Sequence, residues 1–313
     1  MIALLLIPLL LPWLLPPLAR RTAERVRPDV ALCAITGAAA ALALGVLACL
    51  GALLLPLALR LPLLAAFAHL LHPLQAGPAV LVSGVSVLAA GALVVTVIAG
   101  ARGVAAEAVR LRATHRRVAE LPEAGGMCVL DDDRPDAFAL PGGLGSAGRV
   151  VVTAGMLRAL DPQERRALLG HERAHLVCRH HLFLAVAQLA GWCHPALAAV
   201  VPDVSFAAER AADEVAARVC GDRRLTARAV GHAALAANAH RAGDRLPAVA
   251  AGAATGPVPA RVRALLAQAP VRRVAPAVIA MALLCATAGA SSLAGAVWLH
   301  RGVEVAQGEQ SSE

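Results

Sequence analysis

Long uncharged apolar runs alternate with arginine-rich segments along this chain. Four runs stand out: residues 2–18, 30–59, 79–101 and 274–299. A membrane-spanning helix needs about 20 mostly apolar residues. We therefore predict four transmembrane helices, of which the first is kinked because prolines interrupt it.

Between the third and fourth runs, the pattern changes to that of a globular domain. Short apolar stretches separated by Asp/Pro-rich and Gly-rich turns predict three strands, at residues 127–130, 136–140 and 149–153. Helices are predicted from Asp161 onwards, over residues 204–220 with Gly221 as the ending residue, and over residues 222–241. This segment is therefore expected to be an α+β domain.

The charge distribution predicts which side of the membrane this domain occupies. The net charge is +8 and comes from arginine, since the chain has no lysine. Arginines cluster after the first and third runs and before the fourth. Arg-rich flanks stay in the cytoplasm, so we expect a multi-pass cell-membrane protein with its N-terminus outside, its domain cytoplasmic and a short acidic tail outside. Seven scattered cysteines suggest no disulfide framework, which fits a reducing cytoplasm.

The amino-acid composition indicates which kinds of partner the chain can have. Hydrophobic residues make up 58% of the chain and mean hydropathy is +0.67, too apolar for an ordinary soluble protein. Aromatic residues make up 2% and no basic patch is interleaved with them, so no nucleic acid is expected. Membrane lipids are the expected surroundings.

These patterns divide the chain into five segments. They are three transmembrane helices with short loops (1–101), a cytoplasmic basic helix and linker (102–126), the α+β domain (127–245), a linker and basic flank (246–273), and the fourth transmembrane helix with a short external tail (274–313).

One motif in the domain carries candidate chemistry, His171-Glu172-x-x-His175. Residues four apart on a helix share a face, so both imidazoles can reach one metal ion, and Glu172 beside it can take a proton from water. Asp161 and Glu164 form a predicted capping box that starts such a helix. The alternative, a chance match on a surface helix, is disfavoured by that helical context. We expect one Zn²⁺ per chain.

A zinc site of this kind needs a third protein ligand. Glu209 and Asp213 lie four apart on a later predicted helix, so Glu209 can ligate the metal while Asp213 orients a ligand histidine. Alternatively, these acids merely pair with arginines on a solvated face, and their pattern alone does not decide. His181 competes as third ligand because it follows His175 at the metzincin spacing. We favour Glu209, since Cys178 replaces the glycine that breaks the metzincin helix.

A further apolar run, residues 182–201, is long enough to suggest a fifth span. A crossing there would place Glu209 on the opposite side of the membrane from His171. Gln188, His194 and Pro195 also interrupt the run. We assign it to the domain core or to the membrane interface.

The order of four motifs resembles that of the membrane gluzincin metallopeptidases. These include the CAAX prenyl protease, heat-shock-type membrane zinc proteases and the peptidase domain of beta-lactam sensor-transducers. The motifs are Asp136-Ala-Phe-Ala-Leu-Pro-Gly-Gly143, Val150-Val-Val-Thr-Ala-Gly-Met156, His171-Glu-x-x-His175 and Glu209-x-x-x-Asp213. The resemblance covers about residues 127–221, and the order of spans and domain is similar to the sensor-transducers. Their penicillin-binding nucleophile, S-x-x-K, needs a lysine, so we expect no beta-lactam sensing by that route.

The resemblance implies a role for each matching residue. His171, His175 and Glu209 would bind zinc, Glu172 would be the catalytic base, and Asp213 would orient a ligand. Substrate would add as a strand to the edge formed by Asp136, Ala137, Phe138, Ala139 and Leu140. Because the chain has no tyrosine, oxyanion stabilisation would fall to Arg210, His232 or Arg261.

Two functions are consistent with these sequence features. The first is an integral-membrane zinc endopeptidase that cleaves a cytoplasmic or membrane-proximal protein or peptide, with a cytoplasmic regulator as a further partner. The second is a non-catalytic membrane signal transducer or scaffold that retains a structural zinc domain. Glu172 favours the first, because a structural site has no use for a base beside an open coordination position.

Overall fold

The computed structural model describes residues 7–58, 79–142, 148–243, 258–267 and 276–291, and the chain is mostly helical. The N-terminal helices, which follow a 3₁₀ turn at Leu11–Leu14, are α1 (Leu15–Arg25), α2 (Pro28–Ala58) and α3 (Ala79–Ala119). The four strands are β1 (Glu123–Ala124), β2 (Met127–Leu130), β3 (Ala137–Leu140) and β4 (Arg149–Thr153). The later helices are α4 (Ala154–Ala159), α5 (Pro162–Val177), α6 (His180–Cys193), α7 (Pro195–Ala198), α8 (Val201–Cys220), α9 (Arg223–Gly243), α10 (Val258–Leu266) and α11 (Pro276–Ser291).

The strands form one mixed sheet in the order β1-β2-β4-β3. β2 runs parallel to β4, and β3 runs antiparallel to it, with Phe138 opposite Val151. The three predicted strands are confirmed, with bounds within one residue, whereas β1 lies where only a linker was expected. β3 lies at the edge of the sheet, and the described part of the chain places no strand on its other side.

Helix α5 begins at the predicted capping box. The Asp161 carboxylate accepts hydrogen bonds from the Gln163 and Glu164 backbone N–H groups, both at 2.8 Å. The Glu164 carboxylate accepts one from the Asp161 N–H at 3.2 Å. Three N–H groups that the first turn leaves without helical partners are thereby satisfied, which fixes where the helix starts.

The end of α5 differs from the expectation built on Cys178. Cys178 keeps a right-handed conformation, and Arg179 is the residue that turns the chain, at φ +52°. It is the one non-glycine residue of the described chain with a positive φ, a conformation that costs an L-residue about 1–2 kcal/mol. The helix therefore ends two residues after His175, and α6 packs against α2.

Two described helices are long and apolar enough to cross a membrane, within residues Pro28–Leu54 and Ser83–Ala119. The second joins the predicted third span and the predicted basic helix in one continuous element, α3. The described part of the run predicted as the first span consists of a helical stretch at residues 7–10, the 3₁₀ turn and the start of α1, and α11 is a shorter apolar helix. The predicted loop at 60–78, the linker at 248–257 and the tail lie outside the described residues.

The apolar run at residues 182–201 belongs to the protein core. It forms α6 and α7, which Pro195 separates, and Ala187 and Leu197 are buried. They share one apolar cluster with Ile35 of α2 and Met281 of α11. Helices α6, α7 and α8 and the N-terminal helices therefore share one apolar core.

Helix α6 also contacts α3 through an aromatic ring. The Trp192 indole lies over Gly103, where an added Cβ would come within 2.0 Å of the ring. At Gly100, one turn earlier, the same addition would only reach 3.8 Å, an ordinary van der Waals contact. Absence of a side chain at position 103 is what allows the two helices to approach.

Candidate metal centre

Three ligand-type side chains converge between α5 and α8. His171 Nε2 lies 3.2 Å from His175 Nε2, because the two residues are one turn apart on α5. Glu209 of α8 faces both rings, with Oε2 3.4 Å from His171 Nε2 and Oε1 3.4 Å from His175 Nε2. The long apolar stretch between the helices folds into the core, which brings residues 34 or more apart into one cluster.

The spacing of these side chains suits zinc. Tetrahedral zinc with bonds of about 2.0–2.1 Å places neighbouring ligand atoms about 3.3–3.4 Å apart. The two ring nitrogens are 3.2 Å apart, and each lies 3.4 Å from one of the two Glu209 oxygens, close to that edge length. Two imidazoles and one carboxylate are also the donor set of a catalytic zinc site, in which the fourth position stays open. The residues present therefore fit a zinc ion.

Asp213 lies behind the first histidine. Its Oδ1 is 2.9 Å from His171 Nδ1, an ion-pair contact with the ring nitrogen that faces away from the cluster. A carboxylate in this position orients a ligand histidine. Asp213 is 2% exposed. Burial alone would raise its pKa, but the hydrogen bonds from Arg261 and His171 hold the pKa well below its usual range.

His180 contacts the second ligand histidine, His175, as Asp213 contacts His171. Its Nδ1 lies 3.1 Å from His175 Nδ1, and its side chain is buried. Burial lowers the pKa of His180, which favours the neutral ring that can accept this hydrogen bond. The sequence analysis did not identify this role. No residue type signals it, because the contact depends on the left-handed conformation of Arg179.

Glu172 lies beside the cluster, buried at 8% exposure, and faces a cleft of about 240 Å³. Burial raises its pKa to about 7, although the charge of His171 acts in the opposite direction. Asp136 and Ala137, at the start of edge strand β3, line the same cleft. The opposite wall is apolar and comes from one face of α9: Ala229, Val230, Ala233, Ala234 and Ala237.

The three oxyanion candidates occupy different places. Arg210 is buried and donates to the carbonyl oxygens of Ala23 and Val26, so it fastens α8 to the end of α1 and is not available to the cleft. His232 lies 2.8 Å from the Glu164 carboxylate, at the start of α5. Neither Arg210 nor His232 therefore lies in the cleft, where an oxyanion-stabilising group would be needed. Only Arg261 of the three lies in the cleft.

The alternative third ligand, His181, is not part of the converging group. The chain makes the sharp turn that a ligand so close to His175 would need, contrary to what Cys178 suggested. That turn comes one residue later than in the metzincin pattern, and it directs His180 rather than His181 to the site. Glu209 is accordingly the side chain that completes the cluster.

Comparison with known proteins agrees with this geometry. The family model for peptidase family M48 matches residues 106–201, which include the sheet, helix α5 and the two histidines. The match confirms the resemblance to membrane gluzincin metallopeptidases and indicates a metallopeptidase. It ends before Glu209, so the third ligand rests on the geometry. No solved structure matches the chain significantly.

Proposed function

We propose that this chain is an integral-membrane zinc endopeptidase that cleaves a cytoplasmic or membrane-proximal protein or peptide. The observation that carries the proposal is the triangle of His171, His175 and Glu209 at zinc spacing, with Glu172 beside it in an open cleft. The match to peptidase family M48 supports the reaction class.

His171, His175 and Glu209 would hold the zinc ion, which supplies a Lewis acid that polarises a peptide carbonyl and makes a neighbouring water more acidic. Glu172 then acts through its carboxylate oxygens. It takes a proton from the attacking water and delivers it to the leaving amine nitrogen. Without a metal, burial raises the pKa of this carboxyl to about 7, and the charge of a bound zinc ion would lower it and favour the carboxylate that takes the proton.

The cleft supports an extended peptide as substrate. In the described part of the chain no strand pairs with the outer edge of β3, and a peptide strand can add to the backbone N–H and C=O groups there. The start of that strand, at Asp136 and Ala137, reaches the metal cluster. The small apolar side chains of α9 opposite suit an apolar side chain of the substrate.

The membrane topology is part of this proposal. Exposed apolar side chains on α3, such as Leu88 at 74% and Val95 at 67% exposure, support contact with lipid. Arginine placement supports a cytoplasmic site, within reach of a cytoplasmic regulator. A reporter fused after Arg117 should read cytoplasmic and one after Glu313 external. A cytoplasmic reading at Glu313 would contradict four spans.

Replacement of the base tests the chemistry. Glu172→Gln should leave zinc bound but abolish peptide cleavage, because the amide cannot accept the proton. Purified wild type and variant are compared for zinc content and for cleavage of a denatured-protein substrate. Proteins that accumulate in cells with the variant identify the substrate. Wild-type protein that holds zinc but cleaves nothing, with no protein accumulating, would instead favour a scaffold that keeps zinc as structure.

A further inference from the structure

Arg261 joins the two carboxylates of the site. Its Nε and Nη2 donate to Asp213 Oδ2 and Oδ1 at 2.8 and 2.7 Å, a bidentate pair. Its Nη1 lies 2.7 Å from Glu209 Oε2. The Arg261 side chain is 10% exposed. One guanidinium therefore holds both the proposed ligand carboxylate and the carboxylate that orients His171.

This arrangement differs from that of an oxyanion-stabilising group. All three guanidinium nitrogens already donate to carboxylates, and a planar fork held on two sides has little freedom to move towards a substrate oxygen. Glu209 and Asp213 sit one helical turn apart and would repel each other in a buried site. Arg261 supplies the cation between them.

The position of Arg261 is set by packing at the C-terminal end of α10. Helix α10 buries Leu265 against Ala217 and Ala227. Arg223 donates to the carbonyl oxygens of Ala264 and Leu265, both at 2.9 Å, which satisfies the C-terminal end of α10. A helix 48 residues after Asp213 in the chain is thus fastened so that its arginine reaches the metal cluster.

We propose that Arg261 is a positioning residue, which fixes the Glu209 and Asp213 carboxylates in the geometry that binds the metal. The proposal rests on the proposed function only in taking zinc as the metal. It assigns to α10, a segment outside the matched family region, a role in completing the metal centre. If Arg261 positions these carboxylates, its substitution changes metal affinity and coordination, whereas loss of an oxyanion-stabilising group would leave both unchanged.

The test uses the purified full-length chain in detergent and zinc alone as the probe. Arg261→Gln should weaken zinc affinity about tenfold to a hundredfold, the usual loss when support behind a ligand is removed. Arg261→Lys should lose less, because it keeps the charge but not the fork. Cobalt-substituted protein reports coordination directly, and the visible spectrum of Arg261→Gln should shift relative to wild type.

Arg263→Gln, on the exposed side of the same helix, is the matched control and should retain wild-type affinity and spectrum. Peptide cleavage at saturating zinc should recover in Arg261→Gln. Wild-type zinc affinity and cobalt spectrum in folded Arg261→Gln would overturn the positioning role, and lost turnover at saturating zinc would then point to a direct role on substrate. Because zinc binding is measured without peptide, failure of the peptidase proposal is separately visible.

Discussion

Replacing Asp213 by asparagine changes one atom in the support of the metal centre. In the structure, Asp213 Oδ1 lies 2.9 Å from His171 Nδ1 and accepts from Arg261 Nη2, and Oδ2 accepts from Arg261 Nε. Asparagine can keep Oδ1 in place and so preserve both of its contacts. Its NH₂ group then replaces Oδ2 and faces the Nε–H of Arg261, donor against donor.

The donor–donor mismatch and the lost negative charge set the expected losses in stability and in zinc affinity. An unsatisfied buried donor costs about 1–3 kcal/mol, and breaking a buried ion pair costs about 3–5 kcal/mol in stability. Zinc affinity should fall about tenfold to a hundredfold, or about 1.4–2.7 kcal/mol, because the His171 ring keeps a neutral rather than a charged acceptor.

Competition against a chromophoric zinc chelator measures the affinity, and thermal unfolding of the same samples measures the stability. Asp203→Asn, near the start of the same helix and distant from the cluster, is the control and should bind zinc like wild type. Zinc affinity of Asp213→Asn within about twofold of wild type would refute the reasoning that the His171–Asp213 bond supports the metal site.

Three further predictions address the rest of the structure. Glu209→Gln should abolish proteolysis and weaken zinc binding severely, whereas His181→Ala should keep zinc and most activity; metal content and cleavage assays decide, and the reverse pattern would contradict the gluzincin assignment. His180→Ala should lower zinc affinity about tenfold, because its ligand partner loses an orienting bond, and unchanged affinity in a chelator titration would remove that role. Gly103→Ala should destabilise the chain by about 1–3 kcal/mol in thermal unfolding, since the added methyl collides with the indole ring, whereas Gly100→Ala should be near neutral.

The local elements of the domain could be predicted because their signals are local. The capping box at Asp161 and Glu164 determines the start of α5 through bonds that span three residues. The β-rich stretches at 127–130 and 149–153 form strands with those bounds. The turn after α5 could not be predicted, since an arginine in a left-handed conformation contradicts its own preference. Tertiary packing holds Arg179 in this conformation, and no local sequence pattern predicts it.

The side chains that could bind a metal were predictable from the sequence alone. The spacing of His171 and His175 suffices to place two imidazoles on one helix face, and a carboxylate helix later in the chain offered Glu209 as third ligand. Tertiary structure decided which of several charged residues meet them. Arg210, His232 and Arg261 are equivalent as sequence features, yet only the packing of α10 brings one of them to the carboxylates. Contacts between residues about 50 apart depend on how whole helices pack, and that is a property of the assembled core rather than of any local pattern.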